Sequence, residues 1–113
     1  EELKKDIKKE NKQSNVEQST RITYLASLNI GHEKPVNVVR FSPDGVFLAS
    51  GCDGGKINIY KHDPARMPND DDVEYWGLQC VLKTASNGVY DLAWSPSGDY
   101  IIAGMIDNNA VVF

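Results

Sequence analysis

The stretch VNVVRFSPDGVFLASGCDGG, Val36 to Gly55, is written almost a second time as VYDLAWSPSGDYIIAGMIDN, Val89 to Asn108. The two align without a gap. Val36 falls on Val89, Val39 on Leu92, Phe41 on Trp94, Pro43 on Pro96, Gly45 on Gly98 and Gly51 on Gly104. The match runs on to Tyr60 and Phe113. Agreement at the turn residues as well as the apolar ones marks an internal repeat rather than a bias of composition.

Each copy reads as strand, turn, strand, turn, strand. In the first, Val36–Phe41, Phe47–Gly51 and Ile57–Lys61 are the predicted strands. In Ser42-Pro43-Asp44-Gly45, proline presets φ at the second turn position, aspartate suits the third and glycine tolerates the fourth. The second copy gives Val89–Trp94, Tyr100–Gly104 and Ala110–Phe113, with Ser95-Pro96-Ser97-Gly98 as the turn. A polar loop, Asp63–Glu74, and a further strand, Leu78–Lys83, lie between the copies. Ile22–Leu28 is β-prone and reads as one more strand. Residues 1–21 form a charged insert, either a frayed helix over Glu2–Lys12 or a solvated, disordered loop.

The runs VNVV, VFLA and YIIA are apolar nearly throughout, so both faces of each sheet want cover. Stacked copies supply that cover, and sheets stacked into a closed ring make a β-propeller with few exposed edges. The expected fold is therefore all-β: residues 22–113 as a partial propeller, with units 31–84 and 85–113. One full sheet with parts of two neighbours predicts that these 113 residues belong to a larger ring.

Composition excludes several functions. The chain is 41% hydrophobic and 25% charged, and no apolar run approaches the roughly 20 residues of a membrane span. Its opening, EELKKDIKKENK, has no apolar core of a secretory signal. The net charge of -4 traces to Asp63–Glu74, where Arg66 faces five acids. With no basic stripe, direct nucleic-acid binding is not expected. Cys52 and Cys80 read as small buried hydrophobes rather than a disulfide. No Cys-x-x-Cys, phosphate-cradling loop before a helix or nucleophile elbow occurs, so neither catalysis nor a cofactor or metal is expected. His32 is expected to hydrogen-bond structurally and His62 to be solvated.

These units resemble WD repeats. The resemblance rests on Gly31-His32, on Val39-x-Phe41-Ser42-Pro43-Asp44-Gly45, on Leu48-Ala49-Ser50-Gly51, and on the closing Ile57-x-Ile59-Tyr60. A typical repeat has roughly 40–45 residues, and the polar loop accounts for the excess here. Tyr60 and Phe113 stand where the family has Trp, Ala85 where it has His in the second copy, and Gly54 where it has Asp in the first. The family's Asp–His–Ser–Trp network is thus incomplete in both copies, which implies softer blades. VNVVRFSP, VYDLAWSP and DNNAVVF resemble more narrowly the family of middle, WD-repeat subunits of chromatin assembly factor one, with HIRA-type histone chaperones next. That likeness implies a non-catalytic, nuclear scaffold in a complex depositing newly made histones three and four on replicating DNA. Its partners would be the other subunits, these histones and other histone chaperones. The alternatives are a HIRA-type, replication-independent chaperone, or an adaptor subunit of an enzyme complex such as a ubiquitin ligase or phosphatase.

Propeller ligands dock on rims built by strand starts and tight turns. Asn37 and Tyr90 open the first strands of the two copies, and Asp53 and Asp107 lie in the tight turns. Tyrosine is enriched at binding hot spots, although packing against a neighbouring blade is an equal role for Tyr90. Asp70, Asp71, Asp72 and Glu74 read either as a solvated insert or as an electrostatic lure for a basic partner. Their spacing lacks the alternating ligands and glycine of a calcium loop. Trp76 is expected to anchor this loop on the sheet.

Overall fold

The repeated turns close in the same way in the computed structural model, which describes residues 22–28, 31–68 and 71–113. Gly45 N donates to Ser42 O and Gly98 N to Ser95 O, each over 2.9 Å. Both glycines sit at positive φ, 76° and 82°, where a Cβ would be strained. Ser42 N and Ser95 N then donate to Phe47 O and Tyr100 O over 2.8 Å, starting each hairpin. Ser42 Oγ also donates to Asp44 Oδ1 over 2.6 Å, so the turn's own side chains hold it.

The strands are β1 (Val36–Phe41), β2 (Phe47–Cys52), β3 (Lys56–His62), β4 (Trp76–Lys83), β5 (Val89–Trp94), β6 (Ile101–Met105) and β7 (Ala110–Val112). The first four form one antiparallel sheet in chain order, and the last three form another. Expected and observed bounds agree closely. β4 starts earlier than Leu78 because Trp76 still pairs with His62.

Ile22–Leu28 is not a strand: no described strand lies beside it to complete a ladder. Instead Leu25 O accepts from Val73 N over 2.6 Å and from Glu74 N over 3.0 Å, strapping the segment to the polar loop. The helix or insert expected over residues 1–21 lies outside the described residues.

The main core is the contact between the sheets. Val38, Ala49, Ile57 and Ile59 face Val89, Leu92, Ile101, Ala103 and Met105, all buried. Phe47 and Trp94 stack across the gap with centroids 6.4 Å apart. Small residues set the spacing. A Cβ on Gly51 would lie 2.6 Å from Val89 Cγ1 and 3.2 Å from Val38 Cγ1, closer than atoms pack. The face of the second sheet turned away from the first carries Ala93, Ile102 and Val112, the last two 45% and 63% exposed.

The other face of the first sheet buries polar groups. His32 Nε2 lies 2.7 Å from Ser50 Oγ, the expected structural bond. Asn58 Nδ2 donates to Tyr60 Oη over 3.1 Å. In the second copy Ala85, Ala103 and Phe113 replace His32, Ser50 and Tyr60, so it lacks these bonds. Two expectations fail nearby. Cys52 is buried but Cys80 is exposed, because β4 is the edge of its sheet. His62 is half-buried rather than solvated, stacking on Trp76 at 5.1 Å.

Two measurements check this packing. Gly51→Ala overpacks the interface and lowers stability by about 1–3 kcal/mol in urea unfolding. The cost is smaller in a Val89→Ala background, since the nearest opposing methyl is then gone. Acid tests the His32–Ser50 contact. Burial lowers the His32 pKa, with Lys56 acting the same way against the Ser50 bond. The folded state therefore binds the proton less readily than the unfolded one. Its contribution is fully present above the ordinary value of about 6.5 and is lost as pH falls through the lower folded value. His32→Gln flattens the stability profile as pH falls below the ordinary histidine value of about 6.5.

Candidate partner-binding surface

Asn37 and Tyr90 occupy equivalent defects. β1 pairs Val36 with Cys52 and then Val38 with Gly51, leaving Asn37 as an extra residue. β5 pairs Val89 with Met105 and then Asp91 with Gly104, leaving Tyr90 in the same place. Such a β-bulge breaks the in–out alternation and re-aims a side chain.

The two side chains are used differently. Asn37 Nδ2 donates to Asp53 Oδ1 over 2.6 Å and to Val89 O over 3.0 Å, bridging the β2–β3 turn and the next sheet. Tyr90 stays 63% exposed and makes no side-chain hydrogen bond among the described residues. Asn37, Asp53 and Tyr90 therefore share one rim. Asp107 lies at the same end, exposed in the β6–β7 turn.

Between the two sheets lie further residues that sequence reasoning missed. Arg40 and Asp91 form an ion pair at 2.9 Å between the sheets, exposed on both sides. Trp94 Nε1 donates to Arg40 O over 3.1 Å. The signal lay in the twins' differences. Asp91 stands opposite Val38 in the alignment, and Arg40 opposite Ala93.

The acidic residues do not join this rim. The strand register places the loop joining β3 to β4 at the opposite end of the sheet from Asn37 and the β2–β3 turn. Nor is it a uniform field of charge. Tyr24 Oη donates to Asp72 Oδ1 over 2.6 Å, and that carboxylate, with Asp71 adding to it, holds the phenol above its ordinary pKa. Trp76 Nε1 donates to Glu74 Oε1 over 3.0 Å, while the Trp76 ring lies 5.9 Å from Phe41, anchoring the loop as expected. Asp71 is exposed, and Asp70 lies outside the described residues. Among the described residues, no group of three or more His, Cys, Asp or Glu side chains could hold a metal ion.

Comparison with known proteins agrees with this architecture. The WD domain, G-beta repeat family matches residues 22–61 and 76–113. Each match opens on the segment before a three-strand set: Ile22–Leu28 before β1–β3, and β4 before β5–β7. A Chromatin assembly factor 1 subunit FAS2 homolog of Oryza sativa subsp. japonica is 42% identical over 80% of this chain and 17% of its own length. A chromatin assembly factor 1 subunit of Schizosaccharomyces pombe is 37% identical, over 82% of this chain and 20% of that protein. Protein HIR1 of Yarrowia lipolytica is 32% identical over 73% of this chain and 8% of its own. The chain thus spans only a small part of these relatives. With the repeat pattern laid twice along seven strands in two facing sheets, the chain belongs to the WD-repeat family and forms about two blades of a β-propeller.

Proposed function

We propose that this chain is part of a non-catalytic scaffold in a nuclear histone chaperone complex, one that deposits newly made histones three and four on replicating DNA. The observation that carries the reading is its likeness to chromatin assembly factor 1 subunits of a plant and a yeast across most of its length. The rim supports a binding role. Asn37 and Asp53 lock the strand starts together, and Tyr90 stands out beside them with its ring and hydroxyl open to a partner. Asp71, Asp72 and Glu74, with Asp70 in the same run, supply a separate acidic end. Acidic clusters speed encounter with a basic protein more than they strengthen the final complex. A replication-independent, HIRA-type chaperone is the second reading, favoured by the likeness to Protein HIR1.

Affinity purification from nuclear extract tests the reading. Histones three and four should be recovered together with the other subunits of an assembly complex; recovery of a catalytic subunit without histones overturns it. Coupling of histone deposition to DNA synthesis separates the two chaperone readings. Tyr90→Ala should weaken capture of the partner by about tenfold or more. Changing Asp70, Asp71 and Asp72 to Asn should slow association at low salt and flatten its salt dependence. An unchanged salt profile removes the acidic end from the binding account.

A further inference from the structure

The loop joining β3 to β4 holds out one apolar side chain that packs against almost nothing. Met67 is 84% exposed, more than any other large hydrophobic residue among those described. A single apolar residue at a surface is common and by itself points to no partner. Met67 differs in how firmly its part of the loop is held.

Asp63 N donates to Tyr75 O over 3.0 Å and closes the base of the loop. Asp63 also fixes the turn that leads to Met67. Its carbonyl accepts from Arg66 N over 3.2 Å, and its Oδ1 accepts from Ala65 N over 3.1 Å. Pro64 and Pro68 restrict the backbone on either side. The Arg66 guanidinium lies over the Tyr75 ring, 4.5 Å from its centroid. That ring depends on Gly77 of β4, where a Cβ would lie 2.9 Å from it. Pro64, Ala65 and Arg66 are exposed, so these restraints add nothing to the core between the sheets. Their effect falls on Met67, and a preordered anchor loses less freedom when it binds.

The charge of the loop selects the partner. Asp63–Glu74 carries five acids against Arg66, and Arg66 is folded back onto its own ring. Lys61, near the end of β3, lies over Phe47 of β2 instead, 5.8 Å from the ring centroid. Such a loop attracts a basic surface and repels an acidic one. Exposed charges speed encounter but hold little once contact is made. A desolvated apolar anchor slows departure. Methionine suits that task, since its flexible thioether adapts to an irregular pocket.

We infer that Met67 is the anchor by which this loop holds its basic partner. It enters an apolar pocket on the partner, and Asp71, Asp72 and Glu74 meet the lysines and arginines around that pocket. The inference rests on the histone reading above and names the contact that gives the complex its lifetime.

Binding kinetics on the purified complex of histones three and four test it. Met67→Ala should dissociate about tenfold faster, with the association rate and the thermal melt unchanged. Met67→Leu should restore most of the lifetime, because it keeps the apolar volume. Dilute peroxide gives a second readout on the unaltered protein. The chain has two methionines and Met105 is buried, so Met67 should oxidise first, and bound histones should protect it. If the wild-type chain does not bind the histones, the histone reading and the anchor fall together. If it binds but Met67 oxidises as fast as in the free chain, or Met67→Ala dissociates at the wild-type rate, the anchor alone is overturned.

Discussion

The approach of Gly51 to Val89 is the constraint on which the rest of the structure depends. Two sheets can share a core only if their facing residues interlock, and here the closest point leaves no space for a methyl group. Ala49 and Ala103, both fully buried, keep the spacing tight to either side. The larger Val38, Leu92, Ile101 and Met105 fill what remains. At that spacing β1 lies along β5, and the polar links between them become possible. Asn37 reaches the Val89 carbonyl, Arg40 reaches Asp91, and the Trp94 indole reaches the Arg40 carbonyl. These links are largely solvent-exposed, and the exposed ion pair contributes little by itself. They fix the angle and register of surfaces that burial has already brought together.

The strand order adds a second kind of coupling. Each repeat match begins one strand ahead of the sheet to which most of it belongs. β4 opens the second match, yet it completes the first sheet, so the chain is laced across the boundary between blades. This phase also accounts for Ile22–Leu28. By its place in the first match it corresponds to β4, and such a strand needs the third strand of a preceding sheet as its partner. The described residues contain none, and the segment satisfies the carbonyl of Leu25 with the amides of Val73 and Glu74 instead.

Turn chemistry and apolar runs made most of the fold legible. Ser-Pro-x-Gly placed both hairpins, and the gapless alignment of the copies gave β1 and β5 their observed bounds. The bulges were less visible, because a polar Asn37 within VNVV reads equally well as an outward-facing residue of a regular strand. The contacts of the acidic loop were hidden for a different reason. NDDDVE looks uniform as a string, but Asp72 and Glu74 accept from aromatic donors that folding brings to them, Tyr24 from far upstream and Trp76 from the next strand. Cys80 misled because an edge strand and an inner one can have the same composition. Their difference lies in what stands beside them.

The twin bulges have a consequence for how such a surface changes over time. A residue inside a regular strand is tied to its neighbours by alternation, so altering its size or polarity disturbs either a core or a ladder. The extra residue of a bulge is exempt from both demands. In one copy that freedom holds an amide that joins two blades; in the other it holds a phenol turned toward solvent. Each repeat thus carries one position whose chemistry can be rewritten while the packing beneath it stays fixed, and a ring of such repeats could acquire new partners one side chain at a time.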